Sequence, residues 1–368
     1  MRNVPYFNYP HVFTASEAQF IETFRSVGRR GAFIMQKELA EFEQNLATYT
    51  GAKYAVGVAN ATDGLQLAFQ AGGLRAGDEV IICSHTMVAT AAAVHYAGGV
   101  PVPVEAAADH LIDVDAVKAA ITPRTRAICP TQLNGRTCNM DQIMALAAER
   151  KLDVYEDAAQ ALGSKFKNKG AGTFGRASCI SFYPAKVLGC LGDGGAVLTN
   201  EEELYRQLLL LRDHGRDHTG DVVVWGLNSR LDNLEAAYLD FQLKDYPQVA
   251  SRRRAIATLY QNRLGACQQV KLPPAPGSEP DHFDIFQNYE IEAESRDALK
   301  DHLKAKGVGT LIQWGGKAVH QFKKLGFTQN LPRTDALFTR LLMLPMNMSL
   351  SDDDVNYVAD TVLEFYRR

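Results

Sequence analysis

Ser181-Phe182-Tyr183-Pro184-Ala185-Lys186-Val187-Leu188-Gly189, followed shortly by Gly192-Asp193-Gly194-Gly195, decides how the rest of the chain is read. An apolar strand, Ala177–Ser181, runs into Tyr183-Pro184, a turn that projects a side chain from the strand end, and Lys186 follows. Upstream, Leu152-Asp153-Val154-Tyr155-Glu156-Asp157 is a second hydrophobic strand that closes on an acid and continues Ala158-Ala159-Gln160. A lysine amine that can bond to an aldehyde, a Ser181 hydroxyl that can reach a phosphate and an Asp157 carboxylate that can pair with a pyridine nitrogen are the parts that hold pyridoxal 5'-phosphate (PLP). Taken singly, each has a plainer reading. A lysine after such a turn is ordinarily a surface residue, and a strand-end aspartate ordinarily caps the next helix. Gly189, Gly192, Gly194 and Gly195 shift the balance, because they remove side chains where a planar cofactor and a bulky substrate must both approach.

Working outward, short apolar strands alternate with helical patterns. Tyr54–Val58, Glu79–Ile82, Val100–Val104, Arg126–Cys129, Asp153–Glu156, Ala177–Ser181 and Gly195–Asn200 read as strands. Helices are expected at 62–71, 86–97, 114–120 and 140–149. Fully apolar strands separated by helices imply a mostly parallel sheet covered on both faces. Thr14-x-x-Glu17 reads as a capping box at the start of a helix. After Asn200 the pattern turns helical, and a long helix from about Pro247 to Leu264 leads to the proline-rich break Leu272-Pro273-Pro274-Ala275-Pro276-Gly277. Beyond it, 287–292 and 308–312 read as strands and 295–306 as a helix. A last helix opens on Ser351-Asp352-Asp353-Asp354 and closes on Arg367-Arg368, charges that suit its dipole. The expected fold class is α/β. A large domain over 1–245 carries a mostly parallel central sheet flanked by helices, and a smaller α+β domain covers 246–368.

Length supports two domains, since 368 residues exceed the roughly 250–300 that one core sustains. A net charge of −3, from 39 basic and 42 acidic residues, gives no electrostatic reason to expect nucleic acid. The cluster Arg252-Arg253-Arg254 reads as a solvated helix face. No apolar run approaches the ~20 residues that span a bilayer, and Met1-Arg2-Asn3-Val4-Pro5-Tyr6 lacks the apolar region of a signal peptide. The six cysteines, Cys83, Cys129, Cys138, Cys179, Cys190 and Cys267, are scattered with none at CxxC spacing. Neither a zinc site nor a disulfide framework is suggested, no metal is expected, and the chain reads as cytoplasmic.

The wording of the lysine loop, together with the strand that ends at Asp157, resembles the sugar-nucleotide aminotransferases, the DegT/DnrJ group of fold-type I PLP enzymes. The resemblance runs over most of the chain. It implies a fold-type I PLP-dependent transferase in which Lys186 binds the cofactor and shuttles a proton. Asp157 would tune the ring and Gln160 would support its hydroxyl side. Asn60-Ala61-Thr62-Asp63-Gly64-Leu65 opens a helix, and its amides with the Thr62 hydroxyl suit a phosphate; the plainer alternative is that Thr62 or Asp63 caps that helix. By resemblance Thr62, Asp63 and Ser181 hold the cofactor phosphate. Asn228, in Gly226-Leu227-Asn228-Ser229-Arg230-Leu231-Asp232, reaches that phosphate from the other subunit of a homodimer with shared active sites. An ordinary N-cap at Asn228 or Ser229 is the alternative. The implied reaction moves an amino group, from L-glutamate, onto a nucleotide-linked keto sugar in amino sugar biosynthesis. The lysine-loop wording is nearer to members that act at C3 of a hexose than to those that act at C4.

Departures from the family pattern bear on the substrate. Met87 stands where an aromatic residue usually stacks on the cofactor ring, with His85 as another candidate. Ala61 replaces a glycine. Gln132-Leu133-Asn134-Gly135 replaces His-Leu-Tyr-Gly, and Gln313-Trp314-Gly315 replaces His-Tyr-Pro, with His320 further on. These positions lie near the sugar pocket in relatives, so Gln313, Trp314 and His320 are expected to contact substrate. Rival readings stay open at this point. One is a PLP-dependent sugar dehydratase, against which Lys186 argues, since such enzymes carry histidine there. The other is a catalytically inactive regulatory relative. A nicotinamide enzyme is disfavoured, because no GxGxxG follows the first strand.

Overall fold

The computed structural model describes residues 2–367. Strands β1 (Tyr54–Val58), β2 (Glu79–Cys83), β3 (Val100–Val104), β4 (Thr125–Cys129), β5 (Asp153–Asp157), β6 (Ala177–Ser181) and β7 (Gly195–Thr199) form one sheet in the order β1-β7-β6-β5-β4-β2-β3. The pairs from β3 through β6 are parallel, whereas β7 runs antiparallel to both β1 and β6. The cause is the connection. A parallel return needs a crossover of a dozen or more residues, usually a helix, and the lysine loop between β6 and β7 contains none. Val80 and Ile82 of β2 face one core with Leu65 and Phe69, while Ile81 and Cys83 face the other with Ile143 and Leu146. Burial on both faces is why these strands are apolar throughout rather than alternating. Each such side chain contributes roughly 1.5–3 kcal/mol.

A second sheet, β8 (Val270–Lys271), β9 (Tyr289–Ala293) and β10 (Leu341–Leu344), is antiparallel in the order β8-β9-β10. Helices Tyr246–Leu264, Arg296–Ala305 and Asp352–Tyr366 bury Tyr260, Leu303 and Val358 with it, and Val4 from the N-terminal segment joins the same cluster. Ser351 and Asp354 form a capping box at the start of the last helix. Arg368, expected at its end, lies outside the described residues. No helix among the described residues is long and apolar enough to cross a membrane.

Three sequence expectations are corrected. Residues 308–312 do not form a strand. Val308 makes a parallel bridge to Val4 and Leu311 an antiparallel bridge to Met343, so β10 takes the place beside β9. Thr14 ends a helix, Tyr9–Thr14, instead of capping one. Asn8 and Pro10 start that helix earlier, and the next, Glu17–Arg29, has Ser16 at its N-cap without a side-chain bond. Arg253 is not solvated. It is 3% exposed, and its guanidinium donates to the carbonyls of Phe286, Gln287 and Met346. These carbonyls carry no strand partner there, so the buried cation satisfies them.

Candidate active site

The carboxyl ends of β1, β2, β4, β5 and β6 open on one edge of the sheet, where open α/β folds bind ligands. Residues just beyond them line a cavity of about 1080 Å³. Thr62 and Asp63 follow β1, Met87 follows β2, Asp157 ends β5 with Gln160 three residues beyond, and Ser181 ends β6 with Lys186 five residues beyond. Gln313 and Trp314 close the cavity from the C-terminal part of the chain.

Asn60 caps helix Ala61–Ala71, its Oδ1 accepting from the Asp63 amide at 2.9 Å. The cap is therefore neither Thr62 nor Asp63. The amides of Ala61 and Thr62 and the Thr62 hydroxyl have no acceptor among the described residues, so they are free for an anion at the helix start. Ser181 Oγ accepts from the Tyr183 amide at 3.3 Å and keeps its proton to donate. A Cβ added to Gly195 would lie 2.7 Å from the Asn60 carbonyl carbon and 2.8 Å from the Ala61 nitrogen, so only glycine lets β7 pass this turn. Gly189 and Gly194 similarly make room for Pro184 and Cys190. None of the lysine-loop glycines lines the cavity. At Gly189, Gly194 and Gly195 the absent side chain serves close chain packing rather than ligand, while a Cβ on Gly192 would meet only Glu235 Oε1, at 3.6 Å.

Asp157 is buried. Its Oδ2 accepts from Thr90 Oγ1 at 2.6 Å and its Oδ1 from the Ala159 amide at 3.2 Å. Burial pushes its carboxyl up, against the pull of these donors and of Lys186. The Lys186 amine has no hydrogen bond or ion pair among the described residues. Burial lowers it to about 8, with Asp157 opposing. A lysine so placed is a far better nucleophile and proton shuttle near neutrality than one on the surface. A carboxylate, an amine made easier to deprotonate by burial and a set of unpaired donors at a helix start fit the pyridine nitrogen, aldehyde and phosphate of PLP.

Other expected residues divide. Met87 is 51% exposed on the cavity wall, whereas His85 is buried behind it and bonds Gln313. Gln132 is buried, donates to Glu156 at 2.7 Å and accepts from the Cys138 amide, so that departure braces the sheet and not the pocket. His320 does not line the cavity. Its Nδ1 meets Ser84 Oγ at 2.7 Å and its Nε2 meets Asp335 at 3.0 Å, so both ring nitrogens are spent within the protein. Asn228 bridges Asp213 and lies outside this chain's own cavity. The sequence reading missed Tyr6, Phe7 and Tyr9, which line the cavity through the Val4–Val308 pairing, and Asn288, which accepts from Tyr6 Oη at 3.1 Å. The aromatic run Tyr6-Phe7-x-Tyr9 was the available signal. Thr90 was missed as well, although it sits one helical turn after Thr86.

The model of the DegT/DnrJ/EryC1/StrS aminotransferase family matches residues 14–363. The chain belongs to that family. A Streptomyces venezuelae protein named dTDP-3-amino-3,4,6-trideoxy-alpha-D-glucose transaminase is 35% identical over 370 residues, covering 99% of this chain and 97% of the relative. The Pseudomonas aeruginosa UDP-2-acetamido-2-deoxy-3-oxo-D-glucuronate aminotransferase is 35% identical over 331 residues, 90% of this chain and 91% of the relative. Among solved structures, S. venezuelae DesV in complex with a ketimine intermediate superposes with a TM-score of 0.96 at 36% identity, covering 100% of both chains. Like other DegT/DnrJ/EryC1/StrS members, the chain is a PLP enzyme of the fold-type I class.

Proposed function

We propose that this protein is a PLP-dependent aminotransferase that moves an amino group from L-glutamate to a nucleotide-linked keto sugar, at C3 of a hexose. The carrying observation is the unpaired Lys186 amine, lowered to about 8, on the same cavity as the buried Asp157 carboxylate. The bound cofactor supplies an aldehyde for the amino group and a ring that accepts electrons. Lys186 would hold that aldehyde and then carry a proton between the two reacting carbons. Asp157 would keep the ring nitrogen protonated. The Ala61 and Thr62 amides with the Thr62 and Ser181 hydroxyls would take the phosphate beside Asp63, Met87 would cover one ring face, and Gln160 would face the ring hydroxyl. Support for C3 comes from the two relatives described above, named for 3-amino and 3-oxo sugars.

A homodimer with shared sites belongs to the same reading. Trp225 is 98% exposed beside exposed Val222 and Val223, on the segment that leads to Asn228, and Phe33, Ile34 and Met35 are exposed too. Apolar side chains exposed in such groups are characteristic of interaction surfaces. A boundary between domains at residues 245 and 246 is supported by the separate core that begins within helix Tyr246–Leu264, although Val4 packs into it. A cytoplasmic location is supported by six cysteines without a disulfide.

The test is label transfer. With [15N]glutamate and a nucleotide-linked 3-keto hexose, the label should appear on C3 of the sugar by NMR. Label retained in glutamate with every keto sugar offered, while a simple keto acid accepts it, would overturn the sugar assignment.

A further inference from the structure

Asn134 and Gln313, two of the departures noted in the sequence, are in direct contact: Gln313 Nε2 donates to Asn134 Oδ1 at 2.5 Å. Behind them lies a buried charged cluster. Glu290 Oε1 accepts from His110 Nδ1 at 2.9 Å and from Asn134 Nδ2 at 3.0 Å, and Glu290 Oε2 lies 3.5 Å from His85 Nε2. His110 Nε2 meets Glu292 at 3.1 Å.

This cluster fixes the direction of the Asn134 and Gln313 side-chain amides. Burial opposes the Glu290 charge, yet His85 and His110 hold its carboxyl down to about 2, so it only accepts hydrogen bonds. Asn134 must therefore turn its Nδ2 to Glu290 and its Oδ1 to Gln313 and Asn288. Gln313 must then turn Nε2 to Asn134, leaving its Oε1 for His85 Nε2 at 3.1 Å. The backbone N–H of Asn134 also donates to Gln160 Oε1 at 2.9 Å, which leaves Gln160 Nε2 as the end without a partner among the described residues. Of the amides that line the cavity, Gln160 and Gln313 have their oxygens engaged and each retains an N–H with no acceptor among the described residues.

We propose that Asn134 is a positioning residue and Gln313 a specificity-determining one. Anchored through Asn134 and His85 to Glu290, the Gln313 amide presents only N–H to the cavity and selects a ligand with an acceptor oxygen, a carboxylate or carbonyl, at that place. The inference rests on the aminotransferase reading. Two ligands carry such an oxygen, the amino donor through its carboxylates and the keto sugar through a carbonyl-bearing substituent. A buried donor array rejects a ligand that lacks the matching acceptor more strongly than an apolar wall rejects one by size.

The test measures the two half-reactions of the holoenzyme separately, following the cofactor absorbance with glutamate alone and then with nucleotide-linked keto sugars. Gln313→Glu reverses the polarity in the same volume. It should raise the saturation constant of one half-reaction tenfold or more and leave the other within about twofold; the half-reaction affected names the source of the oxygen. Asn134→Gly suits the left-handed backbone there (φ 57°) and should raise the same constant several-fold. Combined with Gln313→Met it should be no worse than Gln313→Met alone, which a merely structural role would not produce. If Gln313→Glu does not fold, Gln313→Asn, which withdraws the amide by one methylene, should move that constant alone. Equal effects on both half-reactions, or none, overturn the inference while wild-type turnover leaves the proposed function standing. Absence of wild-type turnover with any keto sugar overturns both.

Discussion

Thr90 Oγ1 donates to Asp157 Oδ2 at 2.6 Å, and this bond ends a chain of three buried hydroxyls. Thr86 Oγ1 lies 2.9 Å from Thr90 Oγ1, and Thr131 Oγ1 donates to Thr86 Oγ1 at 2.9 Å. Each hydroxyl owns one proton, and an ionised carboxylate can only accept. The chain therefore runs from Thr131 through Thr86 and Thr90 to Asp157, with every proton pointing at the carboxylate. Burial pushes Asp157 towards its neutral form, and Thr90 is the first of the groups that oppose this.

Replacing Thr90 by valine keeps its shape and removes that donor. A hydrogen bond to a charged group is worth about 1.5–3 kcal/mol, so PLP should bind the apoprotein about tenfold more weakly or worse, as read by fluorescence titration. Thr90→Ser should restore it. Unchanged affinity in Thr90→Val would show that Asp157 does not need the hydroxyl chain.

Lys186 sets the pH of cofactor loading. Only its neutral amine can attack an aldehyde, and its value is lowered to about 8. The rate at which PLP reconstitutes the apoprotein should rise across pH 7 to 8 and level off above about 9, once PLP's own titration is subtracted. A rate still climbing at pH 10, the range of an ordinary lysine, would mean that burial does not discharge the amine.

His110 gives the fold a pH dependence of its own. Burial works to discharge it, but Glu290 and Glu292 raise its imidazole to about 9. Its folded value lies above the unfolded one near 6.5, so its contribution is complete below pH 6.5 and lost as pH rises through about 9. In urea unfolding, wild type should exceed His110→Gln by a margin that is largest near pH 6 and shrinks by pH 9.5. A constant margin would contradict the charged pair.

Much of this site was legible because its chemistry is local in the chain. Asp157 ends an apolar strand, and Ser181 and Lys186 flank one turn, so all three stand out in the chain, but each alone has a plainer reading and their assignment to PLP comes from the resemblance of the lysine loop to the family. The aromatic wall of Tyr6, Phe7 and Tyr9 was not legible, because it depends on Val4 pairing with Val308 across the whole sequence. The same contact removed the strand expected at 308–312. Arg253 reads as a surface cation from its neighbours, and only the carbonyls converging on it explain its burial. The glycines read as room for cofactor and substrate, whereas at Gly189, Gly194 and Gly195 it is backbone and core that leave no space for a side chain.

Assembly is tested by complementation. If Asn228 serves the other subunit's site, Lys186→Ala and Asn228→Ala are each inactive alone but complementary when mixed. One intact site forms in each heterodimer, so random 1:1 mixing should restore about a quarter of wild-type activity by simple two-fold statistics. A fully active monomer by light scattering would remove the shared site altogether.

The most direct test of the account is where the cofactor bonds to the chain. Borohydride treatment of the purified holoenzyme should abolish its visible absorbance band and fix PLP in the peptide that contains Lys186, and Lys186→Ala should take up no label and lose turnover. Label on any other lysine, or an active Lys186→Ala enzyme, would contradict it.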